Sequence, residues 1–442
     1  LPSAEATNLS GPLELQRRFQ TTIFYLFLVT LFFSISAMEI AIWSLIGTIL
    51  FATVTNKWRG LRSKTSPGIS LGCDRLLGLF FTAICVSALA RVPTLAGRWD
   101  VISEMRWIAV LYGLTYFIRS QLGARSEKVL LATAPLFAFV GLYAVVQFAT
   151  GIDPLKGRHE FLKVFGPSTY RAVGFFNIPL TFAYSFGLLG TLFSVWFFFR
   201  QASLTARDRC IGGFAVACIL AGILASGVRG AWLATGVTAV SVLPFLRRRT
   251  AFAAVAGLIA LLAVLMLTSE SIRDRAVTMV QIREHSNAGR VKIWRGHLAM
   301  AQDYPILGVG LGQTGQHLGR YYDKLGIKDG QIGHAHNNFI EYLAGTGIVG
   351  LTFYLLVCLF FLRLSLRAYR QHTSAGVPPG FIASLAIGCF AAQIYLHTGG
   401  LTEVNFTDGE VNHALIFVWS LTLAIGPVLT RSVSEGSERI TA

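Results

Sequence analysis

Residues 337–362 read NNFIEYLAGTGIVGLTFYLLVCLFFL, and this stretch decides the fold class. After Glu341 no charged residue occurs until Arg363. A helix needs about 20 predominantly apolar residues to cross a bilayer, so the stretch predicts a membrane-spanning helix. Directly before it stands GHAH (333–336), which places two histidines where the apolar segment begins.

Similar apolar runs recur along the whole chain. The protein has 442 residues, of which 53% are hydrophobic and 14% are charged, whereas a soluble domain has about 25% charged residues. We therefore predict an all-α polytopic membrane protein with about twelve transmembrane helices. The predicted spans are 21–37, 38–55, 70–90, 101–118, 129–149, 175–199, 210–226, 231–246, 251–268, 337–362, 378–397 and 413–430.

The distribution of lysine and arginine predicts how the spans are oriented. Most short basic segments and both termini fall on one side, which the positive-inside rule assigns to the cytoplasm. The opposite loop 398–412 has no lysine or arginine. We attribute the net charge of +16 mainly to this rule and to attraction by anionic membrane lipids. Nucleic acid is not an expected partner, because the basic residues are spread over many loops rather than gathered on one face.

These spans divide the chain into four parts. Residues 1–268 hold transmembrane helices 1 to 9, with a short external loop at 150–174. Residues 269–336 form a large external loop, and residues 337–430 hold transmembrane helices 10 to 12. Residues 431–442 are predicted to be a cytoplasmic tail.

The large external loop is predicted to contain two amphipathic helices. The apolar faces that helical spacing assigns to them are Val291, Trp294, Leu298 and Ala301 for the first, and Leu318, Tyr322 and Leu325 for the second. Pro305 is expected to end the first helix. The two helices could lie on the membrane surface or form a lid over a site, since a loop of this length usually has a function.

The polar residues at the start of span 337–362 are candidates for chemistry. Ionisable groups near a bilayer are costly, so they face a cavity or a partner. An imidazole has an ordinary pKa of about 6.5 and suits proton acceptance at neutral pH, which makes His336 the leading candidate. His334, Asn337 and Glu341 are supporting candidates. Asn337 alone could instead cap the helix beside a bystander histidine.

A metal site formed by His334, His336 and Glu341 is the weaker alternative, because no third histidine has matching spacing. We predict no metal and no cofactor. Walker, Rossmann and nucleophile-elbow motifs are also missing from the sequence. Three acidic residues cluster in loop 398–412 and could bind an acceptor or pair with the basic loop; they are Glu403, Asp408 and Glu410.

Three arginines stand near the external ends of predicted spans. Arg229, in ASGVRGAW, is flanked by Gly227 and Gly230, which would let a ligand approach the backbone closely; interfacial snorkelling is the alternative. Arg171, in TYRAVGFFNIP, precedes a span, and Arg290, in NAGRVKIW, opens the first loop helix. Together they could hold a doubly charged group, because a guanidinium binds phosphate oxygens in pairs. With a histidine beside them, transfer from a lipid-linked diphosphate is suggested.

Four motifs in order, SGVRGAW, GRVKIW, PILGVGLG and HAHNNFIEYLAGTGIVG, resemble the O-antigen ligase superfamily. The resemblance covers roughly residues 160–360, and its most specific element is the histidine–asparagine start of the helix. O-antigen polymerases and some protein O-oligosaccharyltransferases are included in this superfamily. The spaced Arg–Gly pattern quoted for polymerases is not found, since Phe182 and Ala301 stand eleven residues after Arg171 and Arg290. The chain is thus most like a lipopolysaccharide O-antigen ligase.

The resemblance implies a metal-independent membrane glycosyltransferase fold with a large periplasmic loop, in a bacterial inner membrane. The donor would be a polysaccharide linked to undecaprenyl diphosphate, and the acceptor a sugar hydroxyl of lipid A–core, with inversion at the transferred sugar. His336 would take the catalytic histidine's role. Arg171, Arg229 and Arg290 match the arginines expected to bind the diphosphate.

Other functions remain open at this point. An O-antigen polymerase would use a second lipid-linked unit as acceptor, and a protein-glycosylating relative would use a protein. A transporter of anionic glycolipids is the alternative from another class, although halves with matching broken helices are not evident in the sequence.

Overall fold

The computed structural model describes residues 10–58, 70–121, 126–158, 170–252, 285–374 and 377–426, together with the single positions 256, 257, 267, 273, 276 and 277. The helices of this part of the chain are, in order, α1 (Ser10–Thr30), α2 (Ile35–Trp58), α3 (Asp74–Arg91), α4 (Leu95–Ser103), α5 (Trp107–Gln121), α6 (Ser126–Ala132), α7 (Ala134–Thr150), α8 (Pro179–Arg200), α9 (Ala206–Ala225), α10 (Arg229–Val242), α11 (His285–Asp303), α12 (Thr314–Leu325), α13 (Asn338–Gln371), α14 (Phe381–Gly399) and α15 (Gly409–Ile425). A small antiparallel hairpin joins β1 (Ile152–Asp153) to β2 (Gly157–Arg158).

Many of these helices are long and apolar enough to cross a membrane, so the chain is an α-helical multi-pass membrane protein. Within the described residues, seven segments meet both criteria, and α15 is a shorter apolar helix. The seven are Ile35–Thr55, Leu95–Ser120, Ser126–Thr150, Pro179–Ser203, Ala206–Ala225, Asn338–Gln371 and Phe381–Gly399.

The total of twelve spans stays a prediction. The predicted spans 70–90 and 231–246 correspond to α3 and α10, but α3 carries Asp74, Arg75 and Arg91, and α10 has only 14 residues. Most of the predicted span 251–268 lies outside the described residues.

The boundaries predicted for the first span, 21–37, are wrong. Helix α1 begins at Ser10, well before the apolar run, and ends at Thr30. A turn then leads into α2, where the Ser34 hydroxyl accepts a hydrogen bond from the Ala37 amide at 3.4 Å. Ser34 caps α2, so α1 and α2 are separate helices, although the apolar sequence continues across the break.

Helix α8 occupies the centre of the bundle. Its sequence is apolar on all sides, which is typical of a helix surrounded by others. Phe182, Phe193 and Trp196 are fully buried, and α8 packs against α14, α9 and α15. This packing holds α8 and the helices around it in fixed relative positions.

The two loop helices α11 and α12 pack against each other and against α13. Ile293, Met300, Leu318 and Tyr322 are buried in one cluster with Ala344 of α13. The second predicted face is confirmed, since Leu318 and Tyr322 are buried and Leu325 packs beside them. Both helices are thus part of the folded protein around the start of α13.

The apolar face predicted for α11 is partly wrong. Val291 and Leu298 are 42% and 43% exposed, whereas Ile293 and His297 are buried. A hydropathy pattern selects apolar residues, so it does not identify a buried face that contains His297. The carboxylate that compensates the burial of His297 lies on another helix. The end of the helix was predicted correctly, since α11 stops at Asp303, before Pro305.

Helix α13 is interrupted at Gly347, whose φ of 65° and ψ of −169° are not helical. The turn that follows α11 fits into the break: the Gly310 amide donates to the Gly345 carbonyl at 2.7 Å, and the Ile348 amide donates to the Pro305 carbonyl at 2.8 Å. A Cβ atom on Gly347 would lie 2.2 Å from the Ile306 carbonyl. Gly345 and Gly347 therefore let this loop approach the α13 backbone closely.

Candidate functional site

His336 lies in a left-handed backbone conformation just before α13, with φ of 48°. This conformation costs about 1 kcal/mol or more for a residue with a side chain. The preceding residue, Ala335, is held from both sides: its amide donates to Glu341 Oε2 at 2.8 Å, and its carbonyl accepts from Trp294 Nε1 at 2.7 Å. These two bonds fix the backbone from which the His336 side chain projects.

The imidazole of His336 faces a carboxylate from the loop between α14 and α15. His336 Nδ1 lies 3.0 Å from both oxygens of Glu403. The Glu403 side chain is only 7% exposed, whereas that of His336 is 29% exposed. An ionised carboxylate accepts hydrogen bonds only, so it places the proton on Nδ1 and leaves the lone pair on Nε2.

The charge of Glu403 is maintained by its neighbours. Burial alone would raise the pKa of this carboxyl group, but the hydrogen bond from His336 and the electrostatic effects of His336, His334 and Arg290 lower the pKa below its ordinary value. Glu403 is therefore ionised at neutral pH. A carboxylate on Nδ1 orients the imidazole and stabilises its protonated form, as in hydrolase triads.

The second histidine of the motif supports the first. The His336 amide donates to His334 Nδ1 at 3.2 Å, so the neutral His334 ring carries its proton on Nε2, which lies 3.6 Å from Glu403. Partial burial lowers the pKa of His334 despite the opposing charge of Glu403. The two rings are 4.2 Å apart, centre to centre. His334 therefore packs against the His336 ring.

His334, His336 and Glu403 together could hold a metal ion, because one ligand atom from each lies within 4.8 Å of the others. The carboxylate that lies with the two histidines is therefore that of Glu403, whereas the metal site considered from the sequence contained Glu341. A metal would need lone pairs on His334 Nε2 and His336 Nδ1. Those are the atoms that carry protons in the hydrogen-bonded arrangement, so these contacts suit an acid–base pair.

Glu341 has a structural role one step away from His336. It is buried, and besides Ala335 it accepts from Thr314 Oγ1 at 2.6 Å. His297 Nε2 lies 3.5 Å from its other oxygen. Glu341 therefore joins α11, α12 and α13 directly behind the histidine segment.

Asn337 caps α13, which was one of the two interpretations of this residue. Its Oδ1 accepts from the amides of Phe339 and Ile340 at 2.9 and 3.1 Å. Its Nδ2 donates to the Leu401 carbonyl at 2.9 Å, which links the cap to the loop that carries Glu403. The same loop also supplies the carboxylate that faces His336.

The three predicted arginines are joined to this centre through a series of contacts. Arg171 Nε donates to the Ser226 carbonyl at 3.3 Å, in the turn that leads into Arg229. Arg229 is buried, and its guanidinium donates to Asn287 Oδ1 at 3.0 Å. Asn287 lies one turn before Arg290 on α11, and Arg290 is the arginine whose charge acts on Glu403.

The start of α10 packs directly against the loop between α14 and α15, which carries Glu403. A Cβ atom on Gly230 would lie 2.1 Å from Thr402 Oγ1 and 2.5 Å from the Tyr184 hydroxyl. Gly230 was expected to admit a ligand, but its missing side chain instead makes room for protein. This close approach brings Arg229 and Glu403 to one end of the bundle.

One face of α11 contacts each of these components. The residues on it are Asn287, Arg290, Trp294 and His297, at spacings of three and four that place them on one side of a helix. Asn287, Trp294 and His297 contact Arg229, Ala335 and Glu341 respectively, and the charge of Arg290 acts on Glu403. The first loop helix therefore packs against this site.

The profile of a protein family described as O-antigen ligase matches residues 214–355, which run from α9 into α13. This match supports membership of the O-antigen ligase superfamily. No match is found among curated proteins.

The O-antigen ligase match contains only part of the site. Arg229, Arg290 and His336 lie within it, whereas Arg171 precedes it and Glu403 follows it. The partner of the histidine thus comes from a loop beyond the matched segment, and only the folded chain brings the two together.

Several candidate residues of this site could not be identified from the sequence. Glu403 was noticed as one of three acidic residues, but not as the partner of His336; Asp408, by contrast, caps α15 by accepting from the Val411 amide at 3.3 Å. Trp294 and His297 were also missed as contacts of the site. The signal for Glu403 was its position in a short external loop without cations.

Proposed function

We propose that this protein is an O-antigen ligase. It transfers polysaccharide from undecaprenyl diphosphate to a sugar hydroxyl of lipid A–core, in lipopolysaccharide biosynthesis. The observation that carries this proposal is the hydrogen bond of 3.0 Å between His336 Nδ1 and the ionised Glu403, beside the positive charge of Arg290. Membership of the superfamily supports the choice of substrates.

In the proposed reaction, His336 is the general base. Its Nε2 lone pair accepts the proton of the acceptor hydroxyl as that oxygen attacks the anomeric carbon of the donor sugar. The new glycosidic bond forms while the bond from the anomeric carbon to the diphosphate oxygen breaks, and the diphosphate leaves with the electron pair. Attack opposite the leaving group inverts the anomeric configuration. Glu403 stabilises the imidazolium that forms.

The arginines bind the diphosphate and stabilise its growing negative charge. Arg290 lies nearest to the proposed base in the series of contacts, and Arg229 stands at the N-terminus of α10, where the helix dipole favours an anion. Arg171 supports the turn before Arg229. Hydrogen-bond donors that are already in place need no rearrangement when negative charge develops on the leaving group. This preorganisation is the usual source of large electrostatic rate effects. The reaction then needs no metal.

We place the protein in a bacterial inner membrane with the site facing the periplasm and both termini in the cytoplasm. The described basic residues at the opposite end of the bundle support this orientation; they include Arg119, Arg200, Arg363 and Arg367. In this arrangement residues 1–268 and 337–430 hold the spans, residues 269–336 are periplasmic, and residues 431–442 are a cytoplasmic tail. The donor's prenyl chain and membrane lipids are then its apolar partners.

The decisive experiment reconstitutes the purified protein in liposomes with a defined lipid-linked donor and lipid A–core, in the presence of a chelator. We expect glycan transfer to lipid A–core without an ion gradient. His336→Ala should abolish transfer, and His372→Ala is the matched control, because His372 is exposed at the far end of α13.

Each other outcome has a definite meaning. Extension of the donor glycan without use of lipid A–core would identify a polymerase, and transfer to a protein would identify a protein glycosyltransferase. Movement of the donor without any new glycosidic bond would identify a transporter. Near-normal transfer by His336→Ala would refute the general-base role.

A further inference from the structure

A cavity of about 860 Å³ lies between α1 and the rest of the bundle. Its wall includes Phe381, the first residue of α14, whereas the site loop follows Gly399 at the other end of that helix. A helix rises about 1.5 Å per residue, so α14 separates these two positions by roughly 28 Å. The cavity therefore opens at the end of the bundle opposite the candidate site.

The inner wall of this cavity is apolar. Side chains from seven helices and from the turn after α1 form it, and among them are Leu28, Phe32, Phe137, Leu192, Phe193 and Phe417. The volume falls within the range of about 300–1,000 Å³ that is usual for pockets that bind small molecules. Such a wall suits a hydrocarbon chain.

The rim of the cavity is polar and basic. Arg17 and Arg18 line it together with the hydroxyl groups of Thr21 and Thr22 and the carboxylate of Glu14. Glu14 pairs with Arg18 at 3.1 Å, so two cations stand beside one anion. Ser120 and Ser126 complete the rim from the ends of α5 and α6. A rim of this kind complements a negatively charged head group with several acceptor oxygens.

The depth of the cavity matches one leaflet of a bilayer. Its lining runs along α1 from Arg17 to Leu31, which corresponds to roughly 20 Å at about 1.5 Å per residue. Half of a hydrocarbon core of about 30 Å is roughly 15 Å. A molecule whose head group lies at the arginines would thus reach the middle of the membrane with its chains.

We propose that this cavity binds one anionic phospholipid from the leaflet opposite the candidate site. The lipid's phosphate lies at Arg17 and Arg18, and its acyl chains lie against the phenylalanines of the inner wall. This site is separate from that of the glycan donor, whose diphosphate must reach the other end of the bundle. The bound lipid fills the space between α1 and the core.

Native mass spectrometry of the full-length protein in detergent tests the proposal with three separate probes: phosphatidylglycerol, phosphatidylethanolamine and undecaprenyl phosphate. We expect one phosphatidylglycerol to be retained. The double variant Arg17→Gln/Arg18→Gln should lower its retention about tenfold or more, since each basic residue near an anionic lipid contributes about 1 kcal/mol. The matched control is Arg207→Gln/Arg209→Gln, two exposed arginines at the N-terminus of α9.

A second variant tests the inner wall without any change of charge. Leu28→Trp fills the cavity and should also reduce phosphatidylglycerol retention, while the protein stays monodisperse. The proposal is overturned if phosphatidylethanolamine is retained as strongly as phosphatidylglycerol, or if the double arginine variant retains lipid as the control does. Preferential retention of undecaprenyl phosphate would assign the cavity to a prenyl lipid and overturn it as well.

Discussion

At the scale of single residues, the proposed chemistry depends on one strained histidine and one buried carboxylate. His336 is left-handed because Ala335 is held on both sides, and its ring is oriented because Glu403 accepts from Nδ1. The carboxylate tolerates burial because positive groups surround it. The backbone strain of His336 and the burial of Glu403 would each cost free energy alone. Together the two residues leave one nitrogen of the imidazole, Nε2, directed away from the carboxylate.

Replacing Glu403 by Gln tests this pair directly. The amide oxygen can still accept from Nδ1, but it carries no charge to stabilise the imidazolium. We expect kcat for glycan transfer to fall by about 10²- to 10⁴-fold with little change in KM. Glu410→Gln, at the start of α15, is the control and should remain active. Wild-type kcat in Glu403→Gln would show that the carboxylate has no part in the chemistry.

The same carboxylate predicts a dependence of stability on pH. Its folded-state pKa is lowered below the ordinary value of 4.5, so the unfolded chain binds more protons around that pH. The stabilisation is complete above the unfolded pKa and is lost as pH falls through the folded pKa. The Tm difference between wild type and Glu403→Gln, measured by thermal unfolding, should therefore favour wild type more at pH 7 than at pH 4. A difference that does not change with pH would contradict this.

At the scale of elements, α11 is the part that assembles the site. Its polar face contacts Arg229, the Ala335 backbone and the buried Glu341, and the charge of its Arg290 acts on Glu403. Its apolar side packs with α12 against α13. The break at Gly347 lets the turn after α11 bond to the α13 backbone, which fixes the position of the whole helix.

Trp294→Phe should weaken the site without changing any charge. It removes the donor to the Ala335 carbonyl, and a buried polar group left without a partner costs about 1–3 kcal/mol. We expect a lower kcat and a lower Tm, measured in the liposome assay and by thermal unfolding. Leu298→Ala is the control, because Leu298 is 43% exposed on the same helix. Equal effects of the two substitutions would exclude a specific role of the indole.

At the scale of the whole molecule, the site gathers residues from widely separated parts of the chain. Arg171, Arg229, Arg290, His336 and Glu403 come from five different segments, and they meet at one end of a bundle centred on α8. The proposed lipid cavity lies at the other end, between α1 and the core. The two ends are expected to face opposite sides of the membrane.

Labelling with a membrane-impermeant maleimide tests this orientation in intact spheroplasts. Ile332 is 63% exposed near the histidine segment, and the native Cys210 is exposed at the start of α9. In a background where the native cysteines are replaced by serine, Ile332→Cys should be labelled from outside. A variant that keeps only Cys210 should be labelled only after lysis. The reverse pattern would invert the proposed topology.

The sequence alone determined the class of fold and indicated His336 as the leading candidate for the site. Long apolar runs require spanning helices, because the backbone must bond to itself in lipid. The motifs around Arg229, Arg290 and His336 indicated the superfamily that the match to residues 214–355 supports. Asn337 was also recognised as a possible cap, since capping is a local interaction that short-range sequence can reveal.

Only the tertiary structure decided which groups act together. Glu403 reaches His336 across 67 positions of chain, and Arg229 reaches Asn287 across 58. The buried face of α11 was mispredicted because His297 is compensated by Glu341, a residue of another helix. Hydropathy and spacing report local preferences, whereas a hydrogen bond between distant segments depends on how whole helices pack. For that reason the proposed base, His336, could be identified from the sequence, whereas its carboxylate partner, Glu403, appeared only in the folded bundle.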